Sequence, residues 1–165
     1  MLIYKGRVIR LYKETKRLPD GRRISVDLIR HPGAVLIVPF LSSRQIIFLK
    51  QFRPVLGATI YELPAGTISP NERPLACARR ELVEETGYAG RRMRLLGSIF
   101  PVPGYSTEKI WIYSAAGLRK SYLPPDADEV IETEILSRPG VRKLFRSGKI
   151  RDAKSIAALA FTGWL

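Results

Sequence analysis

Apolar and polar side chains alternate over 6–16 and again over 22–31, a period of two that predicts two strands. Pro19-Asp20-Gly21 supplies the turn between them. Denser apolar runs at 35–41 and 45–53, joined by Ser42-Ser43-Arg44, predict a second pair. A short strand over 59–63 leads into a loop, and 93–100 and 109–115 return to the sheet around a loop at 103–108. A further strand is expected over 129–136, after the polar segment 124–128. Residues 141–146 and 152–165 read as helices, the second with Asp152 as its N-cap. Strands interleaved with a few helices, without repeats, predict one α/β domain spanning 1–165.

One segment breaks the alternation. From Gly66 to Tyr88 the chain reads GTISPNERPLACARRELVEETGY. At about 100° per residue, Leu75, Ala78, Leu82 and Thr86 share one arc of a helix and predict its core-facing stripe. Glu81, Glu84 and Glu85 fall on another arc, flanked by Arg80. Pro74 suits the first turn and Gly87 a left-handed C-terminal cap. Like charges three and four positions apart repel by a few tenths of a kcal/mol per pair. A hard divalent cation turns that cost into a site, because it takes carboxylate oxygens and keeps waters that a phosphate can replace. The alternative is an amphipathic helix with a solvated acidic face.

The segment matches G-x5-E-x7-R-E-U-x-E-E-x-G-U, with U a bulky apolar residue, at Gly66, Glu72, Arg80, Glu81, Leu82, Glu84, Glu85 and Gly87. Tyr88 fills the last position with an aromatic ring. Seven fixed residues at roughly 6% usage coincide by chance about once in 10⁸ or more positions. The chain thus resembles the Nudix hydrolases. Further segments resemble the ADP-ribose pyrophosphatase branch: Leu49-Lys50-Gln51-Phe52-Arg53-Pro54, Glu62-Leu63-Pro64-Ala65-Gly66 and Pro103-Gly104-Tyr105-Ser106-Thr107-Glu108. Pro103 also lies at that branch's spacing from Gly87. Thr107 stands where the branch usually has an acid.

The resemblance implies an α/β/α sandwich, a mixed sheet between helices, with an N-terminal antiparallel strand pair. It implies metal-dependent hydrolysis of the diphosphate of ADP-ribose or a related nucleoside diphosphate sugar. Such a reaction needs an activated water, charge neutralisation on phosphoryl oxygens and a stabilised leaving phosphate. Glu81 and Glu85 are the first-choice ligands for Mg²⁺ or Mn²⁺, with Glu84 a ligand or a ligand's partner and the Ala65 carbonyl a further donor. Glu84 and Glu85 are also expected to take part in catalysis. The base in this branch often lies on a late loop, which points to Glu129, with Asp126, Asp128 or a box glutamate as rivals. Arg53 is expected to clamp phosphates with its planar fork. Glu62, Thr67, Pro103, Gly104 and Glu108 complete the expected substrate contacts. Gly66, Glu72, Arg80 and Gly87 are expected to shape the box. Residues 1–31 are where many relatives pair, so a homodimer contact is expected there.

Composition narrows the function further. Cys77 and His31 are the only residues of their types, so no internal disulfide and no His/Cys zinc site can form. No apolar run of about 18 residues exists to span a membrane. Met1-Leu2-Ile3-Tyr4-Lys5-Gly6 lacks a signal-peptide core, so a cytoplasmic location is expected. The net charge of +13 suits attraction of anionic substrates or nucleic acid. Basic residues interspersed at strand spacing, without an aromatic platform, make nucleic acid the minor alternative. A nucleotide-sugar-binding domain without catalysis is the other rival, and the intact carboxylate set argues against it.

Overall fold

The computed structural model describes residues 1–6, 9–124 and 130–165. Three strands at the N-terminus, β1 (Leu2–Lys5), β2 (Arg10–Arg17) and β3 (Arg23–Arg30), form a separate antiparallel sheet. The alternation predicts two strands; β1 is an addition, pairing with β2 from Leu2 to Lys5. Most of this sheet is exposed.

The main sheet holds β4 (Ala34–Ser42), β5 (Gln45–Arg53), β6 (Ala58–Glu62), β7 (Ala65–Thr67), β8 (Tyr88–Ile99), β9 (Ile110–Lys120) and β10 (Ile131–Ser137). Its order is β10-β5-β4-β9-β8, with β6 beside β5 and β7 beside β4. Only β4 and β9 run parallel; the other pairs are antiparallel, so the sheet is mixed. The β4–β5 hairpin pairs only near its turn, at Phe40↔Ile46 and Ser42↔Gln45. Beyond that, β5 pairs with β6 and β4 with β7, so 62–67 lies between them.

Successive residues of β4 feed opposite faces, as the strand period of two demands. Leu36 and Val38 join one buried cluster and Val35 and Ile37 the other. Helices α2 (Arg138–Arg146) and α3 (Ala153–Phe161) cover the first cluster through Val141, Ala158 and Leu159. Helix α1 (Pro74–Thr86) covers the second through Cys77, Ala78 and Leu82. The result is an α/β/α sandwich with a mixed central sheet.

Several boundaries differ from the sequence expectation. β8 begins at Tyr88 rather than 93, because Gly87 at φ 72° reverses the chain directly into pairing with Lys120. Gly90-Arg91-Arg92 carries no apolar alternation to mark that extension. α2 begins at Arg138 rather than 141, because Ser137 caps it by accepting from the Gly140 N–H, with Pro139 in the first turn. Asp152 caps α3 as expected, accepting from the Ser155 N–H. On α1, Leu75 is 37% exposed and does not join the core; Cys77 and Val83 do.

Candidate active site

Helix α1 carries its carboxylates along one side and packs that side against β7. The approach is closest at Gly66, where an added β-carbon would lie 1.9 Å from the Glu81 Cδ. A side chain there would displace the end of the Glu81 side chain from its seat against the strand. One turn further on, Glu85 is 6% exposed and accepts a 2.8 Å hydrogen bond from the Ala65 N–H. Strand β7 is thus fixed to α1 at two successive residues.

Arg80 organises the remaining acids. Its Nε and Nη2 donate to both oxygens of Glu72 at 3.0 and 3.1 Å. Its Nη1 lies 2.7 Å from Glu81 Oε1 and donates to Glu84 Oε2 at 2.7 Å. The Ser69 N–H donates to Glu72 at 3.0 Å, tying the loop before α1 into the same network. Arg80 is held above its already high value, first by the Glu72 hydrogen bonds, against burial, with Glu81 and Glu84 adding to the shift. Asn71, in the same loop, adopts a left-handed φ of 65°. Cys77 lies beneath the network, and burial with the charges of Glu81 and Glu72 pushes its thiol up to about 12. That shift is opposite to that of a reactive thiol.

A second network stands beside the first. Arg53 donates through Nε and Nη2 to the two oxygens of Glu62, at 2.6 and 2.8 Å. Glu62 is 1% exposed. Lys154, from the first turn of α3, donates to the same carboxylate and to Asp152 Oδ1 at 2.8 Å. Burial pushes the Glu62 carboxyl up, but the Arg53 hydrogen bond and the attraction of Lys154 outweigh it and hold the group below its usual range. Arg53 is raised, first by that hydrogen bond, and it also feels the charges of Glu85 and Asp152. Glu62, read from sequence as a substrate contact, is enclosed and reaches the surface through Arg53. Neither Lys154 nor Asp152 was read from sequence as part of the site. Asp152 reads from the sequence as a helix cap, and Lys154 lies in no motif.

The other expected residues are more dispersed. Thr67 is exposed at the end of β7 and pairs with Ala34. Pro103 and Gly104 are exposed, and a side chain at Gly104 would meet nothing within 4 Å. Their loop is held by β3: the Ile29 N–H donates to Tyr105 O at 2.8 Å and the Thr107 N–H donates to Ile29 O at 3.0 Å. The Thr107 hydroxyl accepts from the His31 N–H at 3.0 Å. The Glu108 N–H donates to Ser106 Oγ, and among the described residues its carboxylate makes no ion pair. Asp126, Asp128 and Glu129 lie outside the described residues.

All the acidic donors at α1 are carboxylate oxygens, the chemistry a hard divalent cation takes. Among the described residues no three acidic, histidine or cysteine groups are arranged around a point where a metal ion could sit, and Glu81 and Glu84 are paired with Arg80 instead. Three carboxylates (Glu72, Glu81, Glu84) meet that one guanidinium, so negative charge remains in excess. The donor set therefore fits such an ion in kind.

A sequence model of the NUDIX domain matches residues 30–159, most of the chain and every element of the main sheet. The chain belongs to the NUDIX family. Within this family the protein is 34% identical over 161 residues to the ADP-ribose pyrophosphatase of Bacillus subtilis (strain 168), covering 96% of this chain and 87% of that one. The methanol dehydrogenase activator of Bacillus methanolicus matches at the same identity and coverage. GDP-mannose pyrophosphatase of Citrobacter koseri is 28% identical over 159 residues, 86% of this chain and 83% of that protein. A crystal structure of an ADP compounds hydrolase superposes with a TM-score of 0.85, covering 98% of this chain and 88% of that one at 21% identity. That likeness establishes the NUDIX fold. Among the described residues no helix is long and apolar enough to cross a membrane.

Proposed function

We propose that this NUDIX protein hydrolyses the diphosphate bond of ADP-ribose or a related nucleoside diphosphate sugar, giving a nucleoside monophosphate and a sugar phosphate. The observation that carries the reading is the seating of the α1 carboxylates against Gly66 and Ala65, with the charge of Glu85 felt by the Arg53 guanidinium. Relatives named for ADP-ribose and for GDP-mannose support the substrate class and leave base and sugar open.

Glu81, Glu84 and Glu85 would hold Mg²⁺ or Mn²⁺. When bound, the ion supplies Lewis-acid polarisation of the phosphoryl oxygens and a more acidic water. Arg80 orients the Glu81 and Glu84 carboxylates through direct ion pairs. Arg53 presents the guanidinium edge not used by Glu62 to the substrate phosphates. Glu129 is proposed as the base on sequence grounds, ahead of Asp126 and Asp128. A homodimer contact is proposed on the N-terminal sheet, where Leu2, Ile3, Tyr4 and Ile24 are exposed; sedimentation of the purified chain as a monomer would refute it.

The deciding experiment incubates the protein with a panel of nucleoside diphosphate sugars, with Mg²⁺ or with EDTA. Release of AMP and ribose 5-phosphate from ADP-ribose, or of the corresponding pair from another member, is expected only with the metal. No hydrolysis across the panel, or hydrolysis indifferent to EDTA, would sink the reading.

A further inference from the structure

We propose that Lys154 is a positioning residue for phosphate recognition: from the far helix layer it orients Glu62, and through Glu62 the Arg53 guanidinium. The inference rests on the reading that Arg53 meets the substrate diphosphate. Lys154 and Glu62 are 92 residues apart in the chain and belong to different layers. Glu62 is a carboxylate with 1% exposure at the end of β6, so its charge depends on protein partners rather than water. Each of its oxygens has a basic partner. Oε1 accepts from Arg53 Nε, and Oε2 accepts from both Arg53 Nη2 and Lys154 Nζ.

The lysine is itself constrained. Asp152 accepts from Lys154 Nζ through Oδ1 and, through Oδ2, from the Ser155 N–H at 3.0 Å and the Ser155 hydroxyl at 2.5 Å. Ser155 Oγ in turn accepts from the Leu63 N–H at 2.8 Å, and Ser155 is fully buried. The first turn of α3 therefore grips the chain at Glu62 and Leu63, directly before the Pro64-Ala65-Gly66 approach to α1. A carboxylate held by two bases from two sides has one orientation. Remove Lys154, and Glu62 can turn about its remaining partner and carry the Arg53 fork with it. The planar guanidinium makes that error costly, because bidentate phosphate contact depends on its angle.

Five proteins test this with ADP-ribose and Mg²⁺: the unaltered chain, Lys154→Met, Lys154→Arg, Arg53→Ala and the Arg53→Ala/Lys154→Met pair. Lys154→Met is expected to raise KM about tenfold with kcat changed far less, the pattern of a misplaced binding group. Lys154→Arg restores most of the loss. The double variant should be no worse than Arg53→Ala alone, because a residue acting through Arg53 has nothing left to position. Unchanged KM in Lys154→Met, or losses that multiply in the double variant, would overturn the proposal. If Lys154→Met does not fold, Lys154→Gln, which keeps a donor but no charge, takes its place in the same comparison. Calorimetric binding of inorganic pyrophosphate keeps the two ideas separate. Equal affinity in the unaltered chain and Lys154→Met overturns the role of Lys154 whatever the protein hydrolyses. A tenfold weaker affinity in Lys154→Met, with no hydrolysis by the unaltered chain, supports the role and rejects only the proposed reaction.

Discussion

The Glu81 carboxylate occupies the space in which Gly66 would carry a side chain, with Cδ and Oε1 both 1.9 Å from where a β-carbon would stand. Gly66 does not adopt a positive φ, so the coupling at this position runs through the Glu81 carboxylate rather than through backbone conformation. Gly66→Ala must displace Glu81 or strand β7. Turnover is expected to fall about 10²-fold or more with circular dichroism unchanged. A folded Gly66→Ala protein working at the unaltered rate would refute this steric coupling.

Glu85 and Glu129 separate two contributions to rate. Glu85→Gln keeps an acceptor for the Ala65 N–H, so the fold should survive while the anionic donor is lost. Turnover should drop about 10²-fold or more, and added Mg²⁺ should no longer raise the melting temperature. Glu129→Gln should show a similar drop with the Mg²⁺ effect retained. Full activity in Glu129→Gln shifts the role of base to Asp126, Asp128 or a box glutamate.

Glu72 makes the box loop acid-sensitive. Its carboxyl is held down from 4.5 to about 2, chiefly by the Arg80 hydrogen bonds, against burial and with help from the Ser69 N–H. The folded form stays ionised further into acid than the unfolded one. Its stabilisation is therefore complete above pH 4.5 and disappears as pH falls toward about 2. Glu72→Gln should melt lower at neutral pH and show a shallower loss of stability across that window. Parallel melting curves for the two proteins would contradict the assignment.

Cys77 should be inert in the folded protein. With its thiol pushed up to about 12, essentially no thiolate exists near neutrality. A thiol reagent near pH 8 is expected to leave the native chain unlabelled and to modify it once in denaturant. Rapid labelling of native protein would show that the helix opens there.

Elements with regular patterns are legible in the sequence alone. Strand β4 announces itself as an unbroken apolar run because both its faces are buried, and Asp152 marks the start of α3. Local signals mislead where they are ambiguous. Pro139-Gly140 looks like a helix breaker but sits in the first turn of α2, and Leu75 follows the apolar stripe yet is exposed.

The acidic face of α1 is a local property. Its donors lie within one helix of 13 residues, so offsets along the chain become angles around an axis, and Gly87 ends it by its own conformational freedom. The Arg53–Glu62–Lys154 network is of another kind. No periodicity links positions 53, 62 and 154; pairing of β5 with β6 and the seating of α3 bring them within hydrogen-bond reach. Chain order could place charges on a helix, but packing alone could choose which cations share a buried carboxylate, because that choice depends on which surfaces exclude water together.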